Sequence, residues 1–319
     1  MAAVEIIKAS SEAAWLAERA KDVTSTESAA LFGMSPYMTA FELYHRKRGG
    51  LQASFESNDR MAWGNRLEAA IAAGIAEENG WEIRPLKEYM RISGERIGSS
   101  FDFAILNLPD GPAHLEVKNV DYLAFKDGWL IHDDGTVEAP EHIEMQVQHQ
   151  MMVSGWKRSF IGALIGGNRG IVLERQRDEA TIAAIRARIA TFWADVDAGR
   201  EPPPVMPEDA EAVIRLNQYA QPGKILDASG DVEIAALVEE YKLFCAKRDE
   251  NDEFAKTTKA YLLQAIGDAE RVLLDGFTVS ATMVADSPPT TITADMIGQQ
   301  YGGRKGYRNM RVTAKKAKA

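Results

Sequence analysis

The stretch GSSFDFAILNLPDGPAHLEVKNV, residues 98–120, decides how this chain folds. Its apolar residues predict strand, turn and strand: strands over 96–106 and 113–120, joined across Pro109-Asp110-Gly111-Pro112. Side chains alternate faces along a strand, so Asp102 faces away from Phe101 and Phe103. Glu116 and Lys118 share one face, and Leu115 and Val117 take the other. Folding at 109–112 brings 102 across from roughly 118. Two carboxylates and an ammonium are then expected on one side of a hairpin that looks half buried.

Carboxylates that close repel unless a cation sits between them. Hard divalent cations such as Mg²⁺ take oxygen ligands, and two carboxylates with a strand carbonyl make a seat for one. The adjacent lysine can steady an attacking water, while the metal lowers that water's pKa and offsets charge building on a phosphoryl group. A plainer alternative, an edge strand with a surface ion pair, stays open for Glu116–Lys118 taken alone. The same Glu-x-Lys spacing recurs at Glu240–Lys242, where a solvated helix face explains it. Asp102 on the partner strand and Glu68 in the preceding helix favour a site.

Outward from the hairpin, helical spacing covers 11–21, 39–48 and 60–79, the last stopped by Gly80. Short strands are expected around 81–91, a helix over 141–154, two strands within 159–174 broken by "GGNRG", and a helix over 178–198. This order predicts an α/β (α+β) fold with a mixed central sheet flanked by helices. The proline cluster "GREPPPVMPED" marks a linker, giving a first domain over 1–205 and an appendage over 206–319. In the appendage, 231–266 predicts a long helix or helical hairpin, and Asp275-Gly276 a β-hairpin turn. From Gly302 onward there are seven Lys or Arg and no acid, a composition expected to be disordered.

Composition narrows the function class. No apolar run of about 18 residues exists to span a membrane. The opening MAAVEIIKASSEAAW lacks a basic segment followed by an apolar one, so a cytoplasmic protein is expected, in the bacterial host if phage-encoded. The single cysteine, Cys245, excludes an intrachain disulfide and a cysteine metal cluster. A net charge of −10 weighs against a broad nucleic-acid-binding surface, yet acidic clusters are what a metal-dependent nuclease needs at its centre. His142 and His149, seven apart near Gln146, are expected as surface or supporting polar groups, because Mg²⁺ prefers oxygen. Asp133-Asp134-Gly135 is expected to be a turn, and Trp63, Trp81 and Trp193 core. "RAKD", "HRKR" and the basic tail could contact phosphates.

Five blocks, in order, resemble the PD-(D/E)XK nuclease superfamily, and within it the YqaJ-like viral recombinases, the lambda-type exonucleases of phages and prophages. They are WLAERAKDVTSTESAALFGMSPYMTAFELYHRKRG, MAWGNRLEAAI, SFDFAILN with LEVKN, PEHIEMQVQHQMMVSG, and IVLERQRDEATIAAIRARIATFWADVDAGREPP. The chain departs from the family pattern at Phe103, Asn119-Val120 and Ile143. The resemblance implies a restriction-endonuclease-like core. It also implies that Asp102 and Glu116 are the principal metal ligands, with the Val117 carbonyl assisting and Glu68 reaching the metal directly or through water. Lys118 would orient or activate the water, and Gln146 would fix that water or the scissile phosphate. Arg19 and Thr26 match positions that grip a 5′-phosphate, work that suits a bidentate guanidinium.

The implied activity is a Mg²⁺-dependent 5′→3′ exonuclease, with two ions and Mn²⁺ as a substitute, acting on double-stranded DNA ends. A ring-shaped homo-oligomer, often a trimer, and a single-strand annealing partner accompany that expectation. Two other readings stand beside it: a structure- or site-specific endonuclease, and a non-catalytic DNA-binding adaptor, which the presence of all four of Glu68, Asp102, Glu116 and Lys118 argues against.

Overall fold

A computed structural model describes residues 3–51, 59–217, 223–227, 230–286, 290–291, 300–301 and 307–314. The chain divides into two compact units, Met1–Pro222 and Gly223–Ala319.

In the first unit, strand β1 (Val4–Ile7) precedes α1 (Glu12–Arg19), whose first turn is capped by the Ser11 hydroxyl accepting from Ala14 N. Strand β2 (Val23–Thr24), a 3-10 helix (Ser28–Phe32) and α2 (Ala40–Lys47) follow. Helix α3 (Asp59–Asn79) leads to β3 (Ile83–Pro85), β4 (Tyr89–Ile92), β5 (Ile97–Ser99), β6 (Phe103–Ile105) and β7 (Ala113–Val120). Then come α4 (Tyr122–Gly128), the small hairpin β8 (Leu130–Ile131) and β9 (Val137–Glu138), and α5 (Glu141–Ser154). Strands β10 (Arg158–Ile165) and β11 (Arg169–Gln176), then α6 (Glu179–Ala198) and α7 (Ala210–Leu216), complete the unit.

The central sheet runs β11-β10-β7-β6-β3; β10 and β7 are parallel and the other pairs antiparallel. A second sheet runs β1-β4-β5-β2. The mixed sheet flanked by helices is the α/β core expected. Strand alternation sorts its two faces. Leu115, Val117, Phe103, Ile105 and Phe160 pack with Ile71, Ala72 and Ile75 of α3. On the opposite face Ile161, Ala163 and Ile165 pack with Ile143 and Val147 of α5 and Phe125 of α4. Helix α3 can lie this close because Gly162 leaves room: a Cβ there would stand 2.6 Å from Ile75 Cδ1.

Four expectations on this unit need correction. The strand expected over 96–106 is broken, with β5 in one sheet and β6 in the other, so Asp102 lies in the crossing between them. Phe101 then joins the core beneath the second sheet while Phe103 joins the core under α3. The register pairs Phe103 with Leu115, which sets 102 opposite 116 and not 118. Trp63 is not core: it is 55% exposed, with the Arg66 guanidinium over its ring. Trp193 is buried, and Trp81 is partly buried against Phe160. His149 is not a surface group either, since it is fully buried and its Nε2 bonds the Gly98 carbonyl. The turn at Asp133-Asp134-Gly135 closes the β8–β9 hairpin as expected.

The compact division falls after Pro222, beyond residue 205, because Ala212 of α7 packs with Phe41 and Leu51. In the second unit, 231–266 is one helix, α8 (Val232–Ile266), capped by the Asp231 side chain; no glycine or proline interrupts it. Strands β12 (Arg271–Leu273) and β13 (Phe277–Val284) form the hairpin around Asp275-Gly276. Short strands β14 (Thr290–Thr291) and β15 (Gln300–Tyr301) pair with each other. The tail expected to be disordered contains strand β16 (Tyr307–Ala314), antiparallel to β13 from Phe277↔Ala314 to Val284↔Tyr307. Its alternation of Met310, Val312 and Ala314 supplies the period of two that a strand needs. The rest of that tail, 302–306 and 315–319, lies outside the described residues.

Candidate active site

The site forms where β7 outruns β6. The ladder between them ends at Phe103↔Leu115, so β7 beyond Leu115 has no strand on that edge. Val117 N–H donates instead to Asp102 Oδ2 at 2.8 Å. In an extended strand a residue's N–H and C=O face the same edge, so the Val117 carbonyl also faces the side that β6 leaves open.

Glu116 and Lys118 point from β7 toward α5, as their alternation with Leu115 and Val117 requires. Lys118 Nζ donates to Glu116 Oε1 at 2.6 Å and to Gln146 Oε1 at 3.0 Å. Gln146 Nε2 donates to the same Glu116 oxygen at 2.6 Å, closing a triangle. Gln150, one turn further along α5, donates from Nε2 to Glu116 Oε2 at 2.6 Å. Glu116 is only 4% exposed, so these donors replace the water its charge would otherwise hold.

The electrostatics are strained by design of the fold. Burial pushes the Asp102 carboxyl well above the ordinary carboxylate range, and the charges of Glu116 and Glu68 push it further. Burial, then Glu116, also raises Glu68, which is half-buried on α3. Lys118 loses solvation, which favours the neutral amine, but Glu116 and Asp102 outweigh this and hold its pKa above the ordinary lysine value. Three carboxylates thus crowd one ammonium.

That donor set fits a hard divalent cation: carboxylate oxygens and a strand carbonyl, with a charge excess that a cation would relieve. Among the described residues, no three His, Cys, Asp or Glu side chains stand close enough to hold an ion as they lie. Amide and ammonium donors occupy both Glu116 oxygens, and Val117 N–H holds one Asp102 oxygen. The Gln150 Oε1 acceptor is buried with no donor among the described residues.

Arg19 and Thr26 are brought together: Arg19 Nη2 donates to Thr26 Oγ1 and Nη1 to Ser100 Oγ, each at 3.2 Å. The guanidinium lies over the Trp15 ring, and Trp15 Nε1 donates to Ser100 Oγ at 3.0 Å. Ser100 also connects this pair to the carboxylates, since its carbonyl accepts from Gln150 Nε2 at 3.3 Å. The basic run at 45–48 is mostly engaged internally: Lys47 pairs with Glu27 and Arg46 with Glu42. A cavity of about 630 Å³ adjoins Lys118 and Gln146, with Thr26, Tyr37, Arg60 and His142 on its walls. His142 is partly buried edge-on to Tyr37; desolvation, then the charge of Lys118, lowers its pKa.

Sequence reasoning missed Gln150 and Ser100. Gln150 had a visible signal, four residues after Gln146 on one helical face. Ser100 had none, because only the sheet-to-sheet crossing places it between the two clusters.

Residues 14–157 match the model of the YqaJ-like viral recombinase domain. The uncharacterized protein YqaJ of Bacillus subtilis (strain 168) is 27% identical over 213 residues, which cover 65% of this chain and 63% of that protein. The chain therefore spans less than two thirds of that relative's length. Among solved structures, the alkaline exonuclease LHK-Exo from Laribacter hongkongensis matches at 19% identity and a TM-score of 0.45, over 62% of this chain and 98% of that one. A phage-related exonuclease from Haemophilus somnus 129PT matches at 15% identity and a TM-score of 0.41, over 56% and 94%.

Proposed function

Starting from the match of residues 14–157 to the YqaJ-like viral recombinase domain, we propose that the chain is a metal-dependent deoxyribonuclease, a 5′→3′ exonuclease that resects linear double-stranded DNA for recombination. The observation that carries this reading is the Glu116–Lys118–Gln146 triangle facing Asp102 beside an open cavity. A surface ion pair would not be buried, shared with two glutamines, or set among carboxylates whose pKa values rise together.

Asp102, Glu116 and the Val117 carbonyl would hold Mg²⁺ or Mn²⁺, with Glu68 completing the set directly or through water. The ion would supply a lowered water pKa and compensation for phosphoryl charge. Lys118 has three N–H donors, and two are engaged by Glu116 and Gln146. The third is left to orient a water or a phosphate oxygen. Gln146 fixes the direction of that ammonium by accepting from it while donating to Glu116. Arg19 and Thr26 present an N–H fork and a hydroxyl to a terminal 5′-phosphate. A ring-shaped homo-oligomer and a single-strand annealing partner belong to the same proposal.

The test is digestion of linear duplex DNA, labelled at either strand end, with 5′-phosphate or 5′-hydroxyl termini, in Mg²⁺ or chelator, beside Lys118→Ala. Metal-dependent loss of the 5′ label from linear but not closed circular DNA, abolished by Lys118→Ala, is the expected result. Cutting of closed circles would replace the exonuclease with an endonuclease. DNA binding without cleavage in Mg²⁺ or Mn²⁺ would replace it with an adaptor.

A further inference from the structure

We infer that Gln150 is a positioning residue of this site: it sets the separation of the two metal-binding carboxylates from behind. The inference rests on the nuclease reading and adds a residue to it. One amide nitrogen carries the argument. Gln150 Nε2 donates to Glu116 Oε2 at 2.6 Å and to the Ser100 carbonyl at 3.3 Å. Ser100 lies two residues before Asp102, in the crossing between β5 and β6, where the backbone is held outside the sheet ladders: the Ser99 hydroxyl also donates to the Ser100 carbonyl at 2.8 Å, and Leu86 N–H donates to the Asp102 carbonyl at 3.0 Å. The same nitrogen therefore ties the side chain of one carboxylate to the main chain that carries the other.

The neighbouring contacts show why this tie matters. Glu116 Oε1 is held twice, by Lys118 and by Gln146, whereas among the described residues Gln150 is the only donor to Oε2. Removing it frees the carboxylate to rotate about its remaining contacts. Gln150 is 1% exposed on the buried side of α5, so no water replaces the lost donor. Its amide oxygen, buried without a donor among the described residues, faces no structural partner that would explain a glutamine there. Leucine or methionine would pack a purely structural position without leaving a polar atom unsatisfied.

Partners that orient metal ligands from outside the coordination shell change affinity by about 10–100-fold when removed. Gln150→Met keeps the length and removes the donor. In the full chain without DNA, Mn²⁺ binding followed by electron paramagnetic resonance should weaken by about 10–100-fold. On linear duplex DNA the apparent KM for Mg²⁺ should rise in parallel, with kcat recovering at saturating metal. Gln150→Asn, a methylene too short to span both acceptors, should fall between the two proteins, and it carries the test if the methionine variant does not fold. Unchanged Mn²⁺ affinity in a folded variant would overturn the inference, as would a kcat loss that metal does not rescue. A wild type that binds no Mn²⁺ and leaves DNA intact would defeat the nuclease reading instead.

Discussion

Replacing Asp102 by Asn should stabilise the metal-free protein while abolishing cleavage. In the wild type, Asp102 is partly buried with Glu116 and Glu68 as like-charged neighbours, and desolvation and their charges hold its carboxyl well above the ordinary range. Two like charges 4 Å apart interact by about 4 kcal/mol at an effective dielectric constant of about 20, and by about half that at twice the distance. Asparagine keeps an oxygen for the Val117 N–H and removes the charge. The sign follows from linkage. A carboxyl whose folded-state pKa exceeds its unfolded value of about 3.9 leaves stability intact below that pH, and stability is lost as pH rises through the folded-state value. Each unit of that difference costs about 1.4 kcal/mol, or about 3–6 °C in Tm for a unit of this size. Thermal melts in chelator from pH 4 to 9 should therefore diverge, with Asp102→Asn increasingly the more stable as pH rises. Comparison with the variant cancels groups that titrate in both proteins. Parallel Tm curves, or a variant less stable throughout, would refute the electrostatic account of the site.

Mg²⁺ at a hundredfold excess over its Kd should stabilise the wild type by about 2.7 kcal/mol, read as a Tm rise, and Glu116→Gln should lose most of that rise. An equal rise in both proteins would remove Glu116 from the metal site. Arg19→Ala should lower kcat/KM on 5′-phosphorylated ends by about 10-fold or more, the loss of a charge-assisted contact of about 1.5–3 kcal/mol, while sparing 5′-hydroxyl ends. Equal effects on the two ends would leave Arg19 a structural partner of Trp15 and Ser100. Gly98→Ala should cost about 1–3 kcal/mol in chemical denaturation, because the new Cβ would collide with the Tyr89 hydroxyl and Asp22 Oδ2, which bond each other at 2.8 Å.

What the sequence disclosed and what it withheld have physical reasons. Helices α3, α5 and α6 were legible because apolar spacing, a capping Asp178 and terminal glycines agree along the chain. The face shared by Glu116 and Lys118 was legible because period two leaves no alternative inside β7. Asp102 was found as a candidate but misplaced, because alternation assumes an unbroken strand and cannot see a chain leaving one sheet for another. His149 followed the same helical stripe as His142 yet lies beneath β5, since spacing gives a direction and not a depth. Trp63 failed as core because the stretch of α3 that bears it carries its apolar contacts on other residues, Leu67, Ile71 and Ile75. Charge hid β16: the lysines and arginines of the tail masked an alternating run whose backbone partner, β13, lies more than twenty residues upstream.

The early end of the β6–β7 ladder has one more consequence. Asp102 and Glu116 meet because Phe103 pairs with Leu115, and that pairing is indifferent to how many residues close the far end of the hairpin. Lengthening the turn at 109–112 would change the count between the two acids and leave their meeting point alone. Adding a single residue between Ser99 and Phe103 would change nothing on the far side and yet shift the aspartate off its mark. The distance that matters to this chemistry is measured across the sheet, and a search by spacing along the chain measures the wrong one.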